Sequence, residues 1–217
     1  MTKRSKATTV TVDISDLPPE EAAAKLREAF GAPILFPTDL QPHRVCAKKA
    51  KKDKPTAMHG VTFRRSGSDV VACAMNGRAA IRVVLHGDAE LVPETGAVIP
   101  AKAAKMIAGA TDELAAMWFA NGRVRIAADG EIHEFRLLDA LAFDAEATFA
   151  ASNRAPRSLR GVVADAGQLA KLQRAMACEY VELRDGGKGS VFVLPGDNPA
   201  GAERIGMLVL EDRSGDE

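Results

Sequence analysis

Along the chain, apolar residues first alternate and then recur every fourth position. Val10, Val12 and Ile14 sit between polar neighbours, which predicts a strand over Thr9–Ile14. Ala22, Leu26 and Phe30 then fall on one helical face. Asp16 and Pro18-Pro19 mark the entry of that helix, Glu20 and Glu21 suit its first turn, and Gly31 stops it. Ala32–Gln41, with Pro33 and Pro37, reads as a connector.

From Pro42 a pattern cycles. A helical segment, Arg44 to about Lys52, ends before Pro55, and strands follow at Gly60–Arg65, Val70–Met75 and Ala79–Leu85. Next come a strand at Ala97–Ile99, a helix from Pro100 to about Ala108, and strands at Leu114–Phe119, Arg123–Ala127 and Ile132–Leu138. Asn76-Gly77, Asn121-Gly122 and Asp129-Gly130 are the hairpin turns. Beyond a second connector lie a strand at Leu159–Ala164 and a helix capped by Asp165 that runs to about Ala177. Strands follow at Tyr180–Leu183, Ser190–Leu194 and Ile205–Leu210. A helix followed by three strands thus occurs three times, over roughly 42–86, 97–139 and 159–211, as a repeat of elements rather than of residues. The expected class is α+β, with short helices on one face of antiparallel sheets.

Composition changes this picture little. The 217 residues are 47% hydrophobic and 5% aromatic, ordinary for a globular chain, and no apolar run nears the roughly 18 residues of a membrane span. Cys46, Cys73 and Cys178 lack CxxC spacing, so neither a disulfide framework nor a zinc site is expected, and a reducing cytoplasm is the default. Charge changes more. The 29 basic and 29 acidic residues cancel in total but not locally. Between Pro42 and Arg65 stand Arg44, Lys48, Lys49, Lys51, Lys52, Lys54, Arg64 and Arg65 against the single acid Asp53. Residues 10–40 and the tail from Glu203 are acidic. Such asymmetry points to a basic surface and an acidic one.

Four stretches, in this order, resemble the DNA sliding clamps, specifically the beta subunit of bacterial DNA polymerase III. Residues 54–63, KPTAMHGVTF, are similar to the segment that leaves a helix at a proline and enters a strand through Gly-Val. Residues 71–80, VACAMNGRAA, are similar to the clamp turn ATDGHRLA, although within MNGRAA only Gly77 keeps its residue type. Residues 98–105, VIPAKAAK, are similar to VVPAKALKE, and Phe135–Asp139 with Phe143-Asp144 to RLIDGxFPDY. The resemblance covers roughly 42–150 and 159–211. It implies a DNA-clamp fold in which residues 42–150 form one clamp-like domain and 151–217 a C-terminal half-domain. Residues 1–41, a poorly matched strand and helix, are the segment available to complete that half.

The resemblance also implies a function without chemistry or cofactor. It implies a homo-oligomeric ring that holds duplex DNA non-specifically in the cytoplasm, at the nucleoid, and tethers a polymerase or other clamp-binding protein. Lys48, Lys49, Lys51, Lys52, Lys102, Lys105, Lys171 and Arg174 are the residues expected to meet phosphates, which position a protein without reading sequence. Gly77, Arg78, Ala79, Met207, Leu208, Val209 and Leu210 match the positions that line the partner-peptide pocket. The competing expectation is a clamp-fold protein-binding module that does not encircle DNA and acts on replication partners.

Enzymatic patterns are weak. Asp185–Ser190 (DGGKGS) lacks Walker spacing and a following helix, and a hairpin turn explains it better. The four histidines show no metal-ligand spacing. Trp118 and Phe119, on an expected strand, suit a core or interface better than a base-stacking platform.

Overall fold

The structure, a computed structural model, describes residues 18–48, 54–144, 149, 165–187, 190–196 and 204–209. The strands expected at Thr9–Ile14 and Leu159–Ala164 lie outside these residues.

Helix α1 (Pro19–Phe30) starts at its proline and ends at Gly31, whose φ of 83° turns the chain out of the helix. The connector expected after it contains a strand, β1 (Ile34–Pro37). The helix expected from Arg44 does not form over residues 45–48. A short 3-10 turn, Pro42–Arg44, stands there instead, and the Ala47 amide bonds the Met58 carbonyl at 2.7 Å. That donation diverts the bond a helix would need. The strands β2 (Gly60–Ser66), β3 (Asp69–Met75) and β4 (Ala79–Leu85) then form a meander. β5 (Ala97–Pro100) leads directly into α2 (Ala101–Ile107), with Pro100 as its N-cap rather than its first residue. A second meander follows in β6 (Leu114–Ala120), β7 (Arg123–Ala128) and β8 (Glu131–Arg136). Its turns are Asn121-Gly122 (φ 52° and 71°) and Asp129-Gly130 (φ 51° and 72°), the positive pairs that two-residue hairpins require. Asp165 caps α3 (Ala166–Ala175), and β9 (Val181–Gly187), β10 (Ser190–Pro195) and β11 (Arg204–Val209) close the order.

The meanders exchange their leading strands. β1 pairs with β6 to give the sheet β1-β6-β7-β8, and β5 pairs with β2. At Gly60 this second pairing is so close that a Cβ would lie 2.2 Å from the Ile99 carbonyl oxygen. β4 also pairs with β11, which fuses two units into a seven-stranded sheet, β5-β2-β3-β4-β11-β10-β9. The inner faces of the two sheets meet at Phe63, whose ring lies 6.2 Å from that of Phe36 and 5.3 Å from that of Phe119. α2 and α3 pack into the same core through Ala103, Ala104 and Ile107 and through Leu172, Ala175 and Met176.

The outer faces are covered differently. Trp118, 1% exposed, points away from the core that its neighbours Met117 and Phe119 enter, and its Nε1 donates to the Gly31 carbonyl at 3.1 Å. Arg125, its cross-strand partner, lies 5.4 Å from the Phe30 ring centroid. α1 therefore lies on the outer face of the four-stranded sheet. On the seven-stranded sheet a second apolar cluster, including Val71, Cys73, Ala80, Phe192 and Ile205, is covered by Phe143 and Phe149 from the segment after β8.

Candidate nucleic-acid interface

Two short helices carry cations because each is apolar on one side only. In α2 the buried residues Ala103, Ala104 and Ile107 leave Lys102 and Lys105 exposed. In α3 the buried Leu172 and Ala175 leave Lys171 and Arg174 exposed. The Asp165 carboxylate accepts from the Gly167 and Gln168 amides at 2.8 and 3.1 Å, so the start of α3 is fixed. At its far end the Ala175 carbonyl accepts from the Gln41 amide at 3.0 Å, and the Arg204 guanidinium donates to the Met176 carbonyl at 2.9 Å.

The Pro42–Arg44 turn packs against both helices. Burial holds the His43 imidazole below its ordinary pKa, and the charges of Arg44 and Lys105 lower it further. These two cations are therefore close enough to act on one ring. Arg44 is exposed and hydrogen-bonded to the Gln41 side chain. It belongs with the basic set although the motif-based expectation omitted it. Its place at the head of the basic run was the available signal.

Of the eight cations expected at DNA, the structure places Lys102, Lys105, Lys171 and Arg174 on the helices and Lys48, exposed, just past the turn. Lys49, Lys51 and Lys52 lie outside the described residues. Lys102 reaches back over the Phe135 ring, 5.6 Å from its centroid.

The expected peptide-pocket residues divide. Gly77 and Arg78 are exposed in the β3–β4 turn, where the Asn76 side-chain oxygen accepts from the Arg78 and Ala79 amides, each at 2.9 Å. Ala79 and Leu208 are register partners, as a shared site requires, but both are 2% exposed and belong to the inner core. Side chains alternate along a strand, and these two point inward. The outward pair is Ala80 and Met207, which joins the cluster under Phe143 and Phe149. Val209 ends β11, and Leu210 lies outside the described residues.

The remaining candidates are structural. β9 and β10 form a hairpin, as expected for the Asp185–Ser190 run. Burial pushes the Cys46 thiol up to about 12, and its Sγ lies 3.3 Å from the Gly60 carbonyl oxygen. Among the described residues no group of three or more His, Cys, Asp or Glu is placed to hold a metal ion. Nor is any described helix long and apolar enough to cross a membrane.

Meanders with exchanged leading strands, joined edge to edge and carrying short helices inside, define a clamp fold. The solved structures agree. The chain is similar to the sliding clamp (DNA polymerase III subunit beta) of Bartonella birtlesii bound to griselimycin, at 12% identity over 84% of this chain and 66% of that one, with a TM-score of 0.57. It is similar to the DNA polymerase III beta subunit of Thermotoga maritima at 13% identity, covering 83% and 65%, with a TM-score of 0.53. For the beta subunit of DNA polymerase of Streptococcus pyogenes the values are 14%, 82%, 65% and 0.54. No family model and no curated protein matches the chain. The protein thus has the fold of the bacterial sliding clamps and spans 65 to 66% of the length of these three.

Proposed function

We propose that this clamp-fold protein forms a homo-oligomeric ring around duplex DNA and tethers a polymerase or another DNA-acting protein to it, with no catalysis of its own. The supporting observation is the set of exposed cations Lys102, Lys105, Lys171 and Arg174 on two helices, with Arg44 in the turn that packs against both. Side chains of this kind, on the exposed side of helices whose other side is buried, meet phosphates without selecting bases. Their contribution is electrostatic, so affinity falls steeply with salt and the protein slides along the duplex.

The test is binding to a labelled duplex across a salt series. Replacing Lys102, Lys105, Lys171 and Arg174 with Ala removes about four phosphate contacts and lowers the slope of log K against log salt by about 3.6. Replacing them with Glu abolishes binding and retention on circular DNA. If the Glu variant binds as the parent does, the DNA reading falls, and the protein-binding module becomes the better account.

A further inference from the structure

We propose that the outer face of the seven-stranded sheet carries a binding cleft for a short hydroxycarboxylic acid, set between β2, β3 and the segment that follows β8. The inference is independent of DNA, since the cations of that reading lie on α2, α3 and the Pro42–Arg44 turn. The cleft has a volume of 110 Å³, and strand register builds its floor. Thr62 is the register partner of Cys73 and Arg64 that of Val71. Cross-strand partners share a face, so Thr62 and Arg64 lie on the side of the second apolar cluster, to which Cys73 and Val71 belong. Phe143 and Asp144 form the facing wall.

The lining specifies the occupant. Thr62 is 1% exposed, yet its Oγ1 has no hydrogen-bond partner. A buried hydroxyl in that state costs free energy that valine, of the same shape, would avoid. Thr62 lines the cleft, so an oxygen of the ligand can supply the partner. The charges of the lining are two cations, Arg64 and Arg65, against one carboxylate, Asp144. Arg65 donates to the Val92 and Glu90 carbonyls at 2.6 and 2.8 Å, neutral acceptors that leave its charge uncancelled. The excess favours an anion, and a guanidinium matches a carboxylate in shape. Val71 and Phe143, packed in one cluster, suit a short carbon body.

Depth orders the two contacts. Thr62 is buried and Arg64 half-buried, so the ligand hydroxyl meets the deep residue and the carboxylate the shallow one. Size limits the chain between them. A cavity of about 150 Å³ takes benzene, so a cleft of 110 Å³ takes about four to six heavy atoms. The walls are held together at Gly96, whose φ is +80°. A Cβ there would lie 2.5 Å from the Ala142 Cβ and 3.1 Å from the Arg64 Cγ. The stem of Arg64 and the residue before Phe143 thus close on one glycine, which fixes their separation.

Amide chemical-shift titration of the full chain with racemic lactate, and with propanoate, the same skeleton without the hydroxyl, tests this. Both acids should shift residues 62–66, 71–73 and 143–144 saturably, with Kd for lactate lower by about threefold or more. Thr62→Val should melt no lower than the parent and lose that preference, whereas Thr62→Ser, which keeps the hydroxyl, should retain it. Arg64→Gln should weaken both acids by about tenfold. The proposal is overturned if neither acid gives a saturable shift at these residues up to about 100 mM, or if propanoate binds as tightly as lactate. It is equally overturned if the preference survives Thr62→Val, if Arg64→Gln binds both acids as the parent does, or if sodium chloride at the same concentration reproduces the shifts.

Discussion

The two faces of the sheets use the same strands and differ in what covers them. Inside, aromatic rings meet ring to ring, and the covering helices approach on alanines with Ile107, Leu172 and Met176, which leaves their cations pointing to solvent. Outside, the covers are bulky: α1 with its buried Leu26 and its Phe30 beside Arg125, and Phe143 and Phe149 over the cluster of Phe192. Charge there is neutralised locally, since Arg125 bonds Glu134 at 2.9 Å and stacks on Phe30. The helices inside therefore carry exposed cations, whereas Arg125 outside is held by Glu134 and the Phe30 ring. The difference lies in which residue of each alternating pair carries the work.

Substitutions can break or sharpen that contrast. Phe63→Ala removes the ring on which both sheets meet and should destabilise by about 4 kcal/mol in urea unfolding. Trp118→Ala should cost about 3 kcal/mol and release α1 to trypsin before the sheets melt. Equal cleavage of α1 and the core would show that the outer cover is no separate layer. Asp165→Ala removes the cap of the cation-bearing α3 and should cost about 1 kcal/mol. The smallest effect concerns His43. Its depressed pKa means that the unfolded chain takes up a proton first, so stability is full above about pH 6.5 and declines as pH falls through the lower folded value. His43→Gln should flatten that part of the stability curve, and an unchanged curve would place its cause elsewhere.

Most strands were legible because alternation and two-residue turns are local signals. Ala79–Leu85 stands as read, and the Asn-Gly and Asp-Gly turns lie where expected. What escaped was set by distant partners. β1 hid between Pro33 and Pro37 because a four-residue strand gains its identity only by pairing with β6. Over residues 45–48 the expected helix gave way to a bond from Ala47 to a carbonyl eleven residues on. The basic helices could be read from their stripes, whereas the position of α1 could not, since a stripe says that one side is buried but not under what. The expected pocket residues divide between two faces because side chains alternate along a strand, with Ala79 and Leu208 turned into the core and Met207 to the other side.

The seam between β4 and β11 has a consequence for synthesis. β4 emerges from the ribosome about 120 residues before its neighbour, which at ordinary translation rates leaves it uncovered for on the order of ten seconds. During that interval six of its seven residues are alanine, valine, leucine or isoleucine, a sequence prone to pair with any passing strand. Arg82, at its centre, is the one charge in the strand and the residue best placed to discourage such pairing until β11 arrives.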